Sequence, residues 1–438
     1  MATVPRTHPL WLDRLPTEEP RPPLDGDSRA DVVVLGAGLS GLWTAYYLLE
    51  ADPALDVLVV EADVVGGGAA GRGDGWCTAD PVLPVPADEV PPDGRALRQA
   101  LRDAVVEVGG VAAAEQVDCG FDYGGTVWLA RHPGALEHLA AVARTAADDD
   151  DLHLLGPAEA TDLVGADGVL GGLVGHDSAR LDPARLARGL RDVVLARGAR
   201  VVERTHAVRV SPRAVVTDRG TVRTRWSVRA LGAWSAGPAG DARAVASRHA
   251  VAVTTAPLDA AAWGAVGLGR ESFTDVRPLP VRGARTDDGR LLLVDPVGVP
   301  AGAGGPAGRD VERAAARLRA ALASLFGSLD GAAASLCWTV PLGVARDGLP
   351  SVGLGDDGVA WIRGLGSGGA AAANLAGRTV ADLVTGADSP LVRLPWVGHR
   401  SPAWPAGPLR VLDGAVARRR AERADATVRV PDGVRTPR

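Results

Sequence analysis

The hydrophobic pattern near the start of the chain changes from the period of a strand to that of a helix and back. Residues 31–35 end in a short run of Val and Leu, which predicts a buried strand, and residues 39–51 carry apolar side chains at helical spacing. A second apolar run at 57–60 predicts the next strand. A strand, a turn, a helix and a strand in this order make one βαβ unit.

The segments before and after the βαβ unit show different patterns. Six prolines among the first 23 residues oppose a regular helix or central strand, so we expect residues 1–29 to form an extended arm over the surface. Beyond the βαβ unit the pattern predicts helices over 181–197, 311–326 and 370–383, strands over 199–202, 228–231, 289–294 and 358–362, and a hairpin over 214–226. The chain is therefore predicted to have a mixed α/β fold.

Composition narrows the class of protein. Hydrophobic residues make up 46% of the chain and no apolar run approaches the length of a membrane span, so we expect a soluble protein without a membrane partner. The net charge of −6 is spread along the chain, which argues against nucleic acid. Three scattered cysteines and a start without an apolar signal core favour the cytoplasm. The histidines lack metal-ligand spacing, so we expect no metal.

The turn between the first strand and helix carries a dinucleotide fingerprint. Gly36-Ala-Gly38-Leu-Ser-Gly41 reads G-x-G-x-x-G in the required position, after a strand and at the start of a helix. Gly36 permits the tight turn, Gly38 lets a pyrophosphate approach the backbone, and Gly41 lets the helix press on the sheet. Glu61 ends the next strand, where a carboxylate accepts the ribose hydroxyls of the cofactor.

A second glycine-rich stretch, 66–77, follows Glu61 directly. A long cofactor could run its phosphates and ribityl chain past exposed backbone there, whereas nicotinamide enzymes normally have a helix, so FAD is favoured over NAD. A similar turn at 363–369 lies between the strand predicted at 358–362 and the helix predicted from 370. The first N–H groups of that helix, at the positive end of its dipole, point at this turn.

Motifs spread over nearly the whole chain carry a family resemblance. They are Trp11-Leu-Asp13, the stretch 36–45, Gly71-Arg72, Gly75-Trp76-Cys77, Thr286–Arg290, Pro341-Leu-Gly343, Asn374–Arg378 and Leu394–Arg400. With these motifs the chain resembles the FAD-dependent amine and amino-acid oxidases of the D-amino-acid oxidase superfamily, particularly the branch similar to gamma-glutamylputrescine oxidase. The resemblance implies a glutathione-reductase-like FAD-binding Rossmann domain interleaved with an antiparallel-sheet substrate domain.

The resemblance also implies domain boundaries and further cofactor contacts. The FAD domain would comprise 30–95, 180–240 and 340–400, the substrate domain 96–179 and 241–339, and a C-terminal helix and tail 401–438. Backbone around Ala207 would lie beside the adenine, and residues 230–234 would close the turn beside the cofactor. Together with the motifs above, the predicted FAD-binding residues are Gly36, Gly38, Leu39, Ser40, Gly41, Glu61, Ala62, Gly68, Ala69, Arg72, Gly73, Gly75, Trp76, Ala207, Ala230, Gly232, Trp234, Gly364, Gly366, Ser367, Gly368, Gly369 and Ala370.

The implied activity is oxidation of the C–N bond of an amine or amino acid by hydride transfer to FAD. Such a reaction needs little acid–base machinery, because the cofactor takes the hydride and the protein positions the substrate. Oxidases similar to sarcosine oxidase place a lysine near the flavin to activate oxygen, but here all 47 basic residues are arginine. The electron acceptor is therefore either oxygen or another carrier.

The sequence departs from the family pattern at three places. Asp74 and Asp295 stand where relatives mostly have neutral residues, and the turn 363–369 lacks the usual aromatic residue and acid. The two acids are candidate catalytic carboxylates that would favour a cationic amine over an anionic substrate, and Trp338 is a candidate substrate contact. Alternatively, both acids face solvent or pair with nearby arginines, of which Arg72 and Arg285 are available. A flavin-binding protein with lost or altered catalysis is the alternative function.

Overall fold

The computed structural model describes residues 9–80, 83, 89, 92–146, 151–237, 241–302, 304–329, 334–428 and 430. The strands in these ranges are β1 Ser28–Leu35, β2 Val57–Val60, β3 Trp76–Thr78, β4 Asp122–Tyr123, β5 Thr126–Ala130, β6 Leu152–Leu155, β7 Gly171–Gly175, β8 Ser178–Arg180, β9 Arg200–Val202, β10 Ala207–Ser211, β11 Ala214–Thr217, β12 Thr221–Arg229, β13 Ala246–Thr255, β14 Ser272–Asp275, β15 Val281–Arg285, β16 Leu291–Gly302, β17 Gly305–Pro306, β18 Ala334–Val344, β19 Ser351–Leu354 and β20 Val359–Arg363. The helices are α1 Leu10–Asp13, α2 Leu39–Ala51, α3 Pro92–Ala114, α4 Pro133–Thr145, α5 Pro157–Leu163, α6 Pro183–Ala196, α7 Ala260–Val266, α8 Gly308–Leu325, α9 Gly369–Thr385 and α10 Pro408–Ala426.

The first sheet grows outward from the predicted βαβ unit. Strands β9, β2, β1, β12 and β20 lie side by side in that order and run parallel, while β10, β11 and β19 pair antiparallel at the edge. Leu35 pairs with Val60 on one side and with Arg229 on the other, so the carboxyl ends of these parallel strands share one edge. Ligands of open α/β sheets bind outside that edge.

Two helices cover one face of this sheet and pack closely on each other. The apolar side chains of α2 and α9, including Leu42 and Val380, are fully buried in one core. A Cβ at Gly377 would lie only 2.6 Å from the Cβ of Trp43, so a glycine is needed where the helices cross. This contact fixes the start of each helix relative to the carboxyl edge of the sheet.

The second sheet is mostly antiparallel, and each of its two faces packs against a separate hydrophobic core. Its order is β18-β13-β16-β15-β14-β5-β7-β6, with only the β14–β5 pair parallel. Side chains such as Leu293 pack with Leu318 of α8 on one face. On the other face Ala252, Trp338 and Val340 pack around Trp11 of α1. The second face points toward the first sheet and its helices, which we call the first lobe, so the carboxyl edge of the first sheet and this face border a common space.

The predicted fold class is confirmed, with local differences. The bounds of α2 and β2 are those predicted, but the strand expected at 228–231 is the end of β12, because that strand pairs first with β11 and then with β20. The predicted extended arm contains the helical turn α1, whose Leu10 and Trp11 are buried.

The boundary expected at residue 96 cuts through a helix. The helix α3 packs into the first core through Val105 and Val108, although the predicted boundary assigns most of it to the substrate domain. The first eight residues of the arm and the predicted tail beyond residue 430 lie outside the described residues. No helix in the described part of the chain is long and apolar enough to cross a membrane.

Candidate active site

The three fingerprint glycines occupy different surroundings. Gly36 has φ +100° and a Cβ there would lie 2.6 Å from the carbonyl oxygen of Ala230; a Cβ on Gly41 would lie 1.9 Å from the carbonyl oxygen of Gly36. The fold itself therefore requires glycine at both positions. A Cβ on Gly38, at the N-cap of α2, would meet only the Cβ of Ala70 at 3.8 Å. The protein's own packing does not explain Gly38, whereas a ligand seated at the helix start does.

Glu61 lies directly beside this helix start. One of its carboxylate oxygens accepts a hydrogen bond from the backbone N–H of Ala37 at 2.7 Å, and the other accepts from that of Asp63 at 2.9 Å. Burial raises the pKa of the Glu61 carboxyl, while these N–H groups oppose the shift. The two bonds fix the carboxylate at the carboxyl end of β2, and each oxygen keeps a lone pair for a hydroxyl donor. Ala62 follows it in the chain.

The glycine-rich loop after Glu61 is held from both lobes. The Trp11 indole donates to the carbonyl oxygen of Gly73 at 2.8 Å, and the Trp338 indole donates to that of Arg72, also at 2.8 Å. The Arg72 side chain folds back on the loop and donates to the carbonyl oxygen of Gly67 at 2.7 Å. Gly75 has φ +78°, and a Cβ there would lie 2.6 Å from the carbonyl oxygen of Leu181. These contacts fix the backbone of the loop beside the carboxyl edge of the first sheet.

The turn after β12 faces the same loop. The N–H of Ala230 donates to the carbonyl oxygen of Leu35 at 3.0 Å, and a 3₁₀ helix follows over Gly232–Ala236. The Trp234 side chain is 58% exposed, yet its ring lies so close to Gly68 that a Cβ on that glycine would be 3.1 Å away. Ala207, the first residue of β10, pairs with Thr217 in the same sheet.

The second glycine turn connects β20 to α9. Gly364 and Gly366 have positive φ, and a Cβ on Gly366 would come no closer than 4.0 Å to any neighbour. Gly369, the first residue of α9, could carry no Cβ because it would lie 2.4 Å from the carbonyl oxygen of Trp76. This contact joins the turn to the glycine-rich loop. The N-terminus of α9, with Ala370 in its first turn, therefore lies next to both the turn 364–368 and the glycine-rich loop.

A cavity of about 290 Å³ adjoins this second turn. Its apolar lining includes Pro296, Val297 and Leu342, and residues 364–368 of the turn also line it. The charged residues that line it are Asp80, Arg248 and Arg282. The cavity combines an apolar, glycine-bordered space with a few charged groups, which is typical of small-molecule sites.

Arg282 ties the cavity to the loop. Its guanidinium is almost fully buried, lies 3.9 Å above the Trp76 ring, pairs with Asp74 at 3.2 Å, and donates to the Ser367 carbonyl oxygen at 3.4 Å. Burial lowers the pKa of Arg282, and Asp74 opposes that shift. One residue of the second sheet therefore holds both glycine turns.

Comparisons with known proteins agree with this geometry. The model of a family described as FAD dependent oxidoreductase, DAO, matches residues 31–383. The chain belongs to this family. Gamma-glutamylputrescine oxidoreductase of Escherichia coli (strain K12) is 27% identical over 367 residues, which is 81% of this chain and 84% of that protein.

Solved structures share the fold of this FAD-dependent oxidoreductase. Glycine oxidase from Geobacillus kaustophilus superposes with a TM-score of 0.70 at 19% identity, over 85% of this chain and 99% of that one. Iminodiacetate oxidase from Chelativorans sp. BNC1 gives a TM-score of 0.68 at 19% identity, over 84% of this chain and 99% of that one. The predicted family, the FAD cofactor and the class of oxidoreductase are confirmed, and a flavoprotein without catalysis is not favoured.

The residues at the carboxyl edge fit FAD. The position that a Cβ on Gly38 would fill lies at the start of α2, where unpaired N–H groups favour the charge of a pyrophosphate. Glu61 is held beside it by two backbone N–H groups. From there the glycine-rich loop leads to the turn 364–368 and the cavity. The individual FAD contacts of the residues predicted from the sequence remain predictions.

The structure changes the interpretation of the two candidate acids. Asp74 pairs with Arg282, not with Arg72 or Arg285. Asp295 lies on the α8 face of the second sheet, away from the first lobe, where it pairs with two arginines, Arg317 at 2.9 Å and Arg418 at 2.7 Å. Burial alone would raise the pKa of Asp295, but the two guanidiniums outweigh it and hold the pKa below its usual value. The expectation of a substrate-facing Asp295 is therefore wrong, because the alternation of side chains along β16 directs Asp295 toward α8 and away from the first lobe.

Trp338 is buried, and its indole N–H donates a hydrogen bond to the carbonyl oxygen of Arg72. It supports the loop and is absent from the cavity lining, so the expected substrate contact is not supported. The charged residues of the cavity, Asp80, Arg248 and Arg282, were not found from the sequence. They are three among 100 charged residues, and only the fold brings them together.

One surface cluster brings together residues that look isolated in the sequence. Asp151 lies 2.8 Å from the ring nitrogen of His153 and 3.0 Å from that of His176, and all three side chains are exposed. No metal was expected from the spacing of the histidines, and the fold now provides a group of three potential ligands. None of them lines the cavity.

Proposed function

We propose that this oxidoreductase oxidises the C–N bond of an amino acid bound in the cavity beside the turn 364–368. The relatives support an amine substrate, because their names include gamma-glutamylputrescine oxidoreductase, glycine oxidase and iminodiacetate oxidase. An amino acid is favoured over a simple amine because Arg248 lines the cavity and forms no ion pair with a described carboxylate. Arg282, in contrast, pairs with Asp74.

Arg248 has two neutral hydrogen-bond partners. Its guanidinium donates to the carbonyl oxygens of Val297 at 3.3 Å and Gly414 at 3.2 Å. No described carboxylate lies within ion-pair distance. Burial and then the neighbouring Arg418 lower the pKa of Arg248, and the carboxylates of Asp295 and Asp413, which lie beyond that distance, oppose the shift. A half-buried cation with only carbonyl partners is stabilised by an incoming anion. Arg248 thus favours a substrate that carries a carboxylate as well as an amine, whereas Asp74 and Asp295 had led us to expect a cationic amine in preference to an anionic substrate.

The chain's own residues would bind and orient the substrate. Bound FAD supplies the chemistry, since it accepts a hydride equivalent from the carbon next to nitrogen. Arg248 would hold the carboxylate, and Leu342 and Val344 would shield the reacting carbon from water. Holding the substrate in one orientation accounts for a large part of the rate that such a site provides.

Anaerobic reduction of the bound flavin tests the substrate class. Each amino acid is compared with the amine that lacks its carboxylate, and bleaching of the visible flavin spectrum is measured against concentration. Arg248→Met should weaken binding of the amino acid roughly 10–150-fold, the scale of one charge-assisted hydrogen bond, and should leave the decarboxylated amine nearly unchanged. Arg309→Met is the matched control, because the Arg309 side chain is 80% exposed on α8. Equal effects of Arg248→Met on both substrates would overturn the assignment.

The electron acceptor and the compartment belong to the same proposal. We infer that electrons pass to oxygen or to another carrier, and comparing reoxidation by air with reoxidation by dichlorophenolindophenol distinguishes them. A cytoplasmic location is supported by Cys77, Cys119 and Cys337, which are free and buried in the structure.

A further inference from the structure

Asp80 is a buried carboxylate that lacks a hydrogen-bond donor among the described residues. It lies just after β3, its side chain is 1% exposed, and neither of its carboxylate oxygens accepts a hydrogen bond in the described part of the chain. The cation nearest to it in an ion pair is Arg98, at a loose 3.8 Å. Burying an ionised carboxylate without hydrogen bonds is costly, so a fold that keeps one at this position needs a reason.

The position of Asp80 supplies that reason. Its side chain lines the same cavity as Arg248 and Arg282, beside the backbone of the turn 364–368. Arg248 and Asp80 therefore offer one cation and one acid to a common small molecule. An amino acid carries the complementary pair of charges, a carboxylate and an ammonium group.

We propose that Asp80 binds the ammonium group of the substrate and removes its proton. The proposal rests on the proposed function of the cavity. In this step one N–H bond of the ammonium breaks and one O–H bond forms on the Asp80 carboxylate, so the charges of the pair are neutralised and the amine regains its lone pair. Only the neutral amine can lose hydride from its neighbouring carbon, because its lone pair stabilises the developing positive charge.

The surroundings of Asp80 suit this exchange. Burial and the neighbouring Asp177 raise its pKa to about 7, against the influence of Arg98, Arg102 and Arg282. The Tyr123 hydroxyl also feels the charge of Asp80: burial raises the pKa of Tyr123 most, and the carboxylates of Asp177 and Asp80 raise it further. A proton acceptor that titrates near the working pH combines a useful ionised fraction with sufficient basicity.

The pH dependence of flavin reduction tests the proposal. In the wild type, kcat/KM for an amino acid should rise through a pKa near 7. In Asp80→Asn the reaction should depend on the small fraction of free substrate that is already neutral. Its rising limb should then move toward the pKa of the substrate amine, roughly 10, with a loss of about 10²–10⁴-fold at neutral pH and recovery in alkali.

Two matched variants separate this role from a structural one. Asp177→Asn removes the negative charge that raises the pKa of Asp80, so the rising limb should move to lower pH while kcat is retained. Asp122→Asn changes a partly exposed acid that pairs with Arg180 at 2.9 Å, and it should leave the profile unchanged. FAD content and the circular dichroism spectrum of each variant show that it is folded.

The outcomes distinguish failure of this inference from failure of the proposed function. If no amine or amino acid bleaches the wild-type flavin, the proposed function fails. If the wild type is reduced but Asp80→Asn keeps its rising limb near 7 and its kcat/KM, the proton-accepting role of Asp80 is overturned. If Asp80→Asn does not fold, an unmoved limb in Asp177→Asn is sufficient to overturn it.

Discussion

Replacing Gly38 by alanine should separate cofactor binding from folding. Gly38 has φ −78° and ψ 176°, a conformation open to any residue, and the added Cβ would meet only the Ala70 side chain at 3.8 Å. The apo protein should therefore lose less than about 1 kcal/mol, the difference between glycine and alanine at an N-cap. In the holoprotein the same methyl group would occupy the place of the pyrophosphate and separate it from the N–H groups of α2.

The loss of FAD affinity can be scaled from those N–H groups. Two charge-assisted hydrogen bonds at roughly 1.5 kcal/mol or more each correspond to a rise in Kd of at least about 100-fold. The assay is FAD titration of apoprotein by flavin fluorescence, with thermal unfolding of the apo form measured in parallel. Gly110→Ala, in an open position within α3, is the control: it should leave the Kd for FAD unchanged and, as a glycine replaced inside a helix, should not destabilise the apo form. Gly41→Ala should damage the fold itself, because its Cβ would lie 1.9 Å from a carbonyl oxygen. A Gly38→Ala protein with wild-type Kd for FAD would refute the placement of the phosphates.

Three further substitutions test the electrostatics of the site. Glu61→Ala should weaken FAD by roughly 1.5–3 kcal/mol in the same titration, because a ribose hydroxyl loses its charged acceptor; an unchanged Kd would remove that role. Asp74→Asn should lower the free energy of unfolding by about 3 kcal/mol, since it leaves the buried Arg282 unpaired, and urea denaturation that matches wild type would contradict this. Asp295 has a lowered pKa and stabilises the fold above its unfolded pKa of about 3.9. Asp295→Asn should therefore be less stable by roughly 3–5 kcal/mol at neutral pH and should lose less stability on acidification, whereas parallel pH curves would contradict the pairing.

The first lobe could be predicted in detail because its signals are local. The fingerprint 36–41 and the acid at the end of β2 have fixed spacings along the chain, and both elements appear with the expected bounds for α2 and β2. Turn geometry and hydrophobic period act over a few residues, so sequence alone is sufficient there. The second glycine turn was located in the same way, although its role depends on Trp76, which is almost 300 residues away.

The charged residues of the cavity could not be predicted because their meeting is a property of the tertiary fold. Asp295 is an acid where the family mostly has neutral residues, and it was therefore a candidate site residue. The alternation of side chains along β16 directs it toward α8, where it pairs with Arg317 and Arg418. Asp80 gave no signal, since nothing in the sequence shows that its carboxylate will be buried without a hydrogen bond from the described residues. Pairing of charges is decided by which strands become neighbours, and β15 and β16 bring Arg282 and Asp295 to opposite faces of one sheet.

The position of Arg282 links the two halves of the proposed reaction. Its guanidinium pairs with Asp74 of the cofactor loop, covers the Trp76 ring and reaches the Ser367 carbonyl oxygen while also lining the cavity. Its charge is thereby paired within the protein, whereas Arg248, the other cation that lines the cavity, has only carbonyl partners and is the residue proposed to bind a carboxylate. A shift of either glycine turn would displace Arg282, and with it the charges around Asp80, because Arg282 lowers the pKa of that acid. If the substrate binds in this cavity as proposed, its binding would be coupled, through the contacts and the charge of Arg282, to the ordering of the loops that would hold FAD.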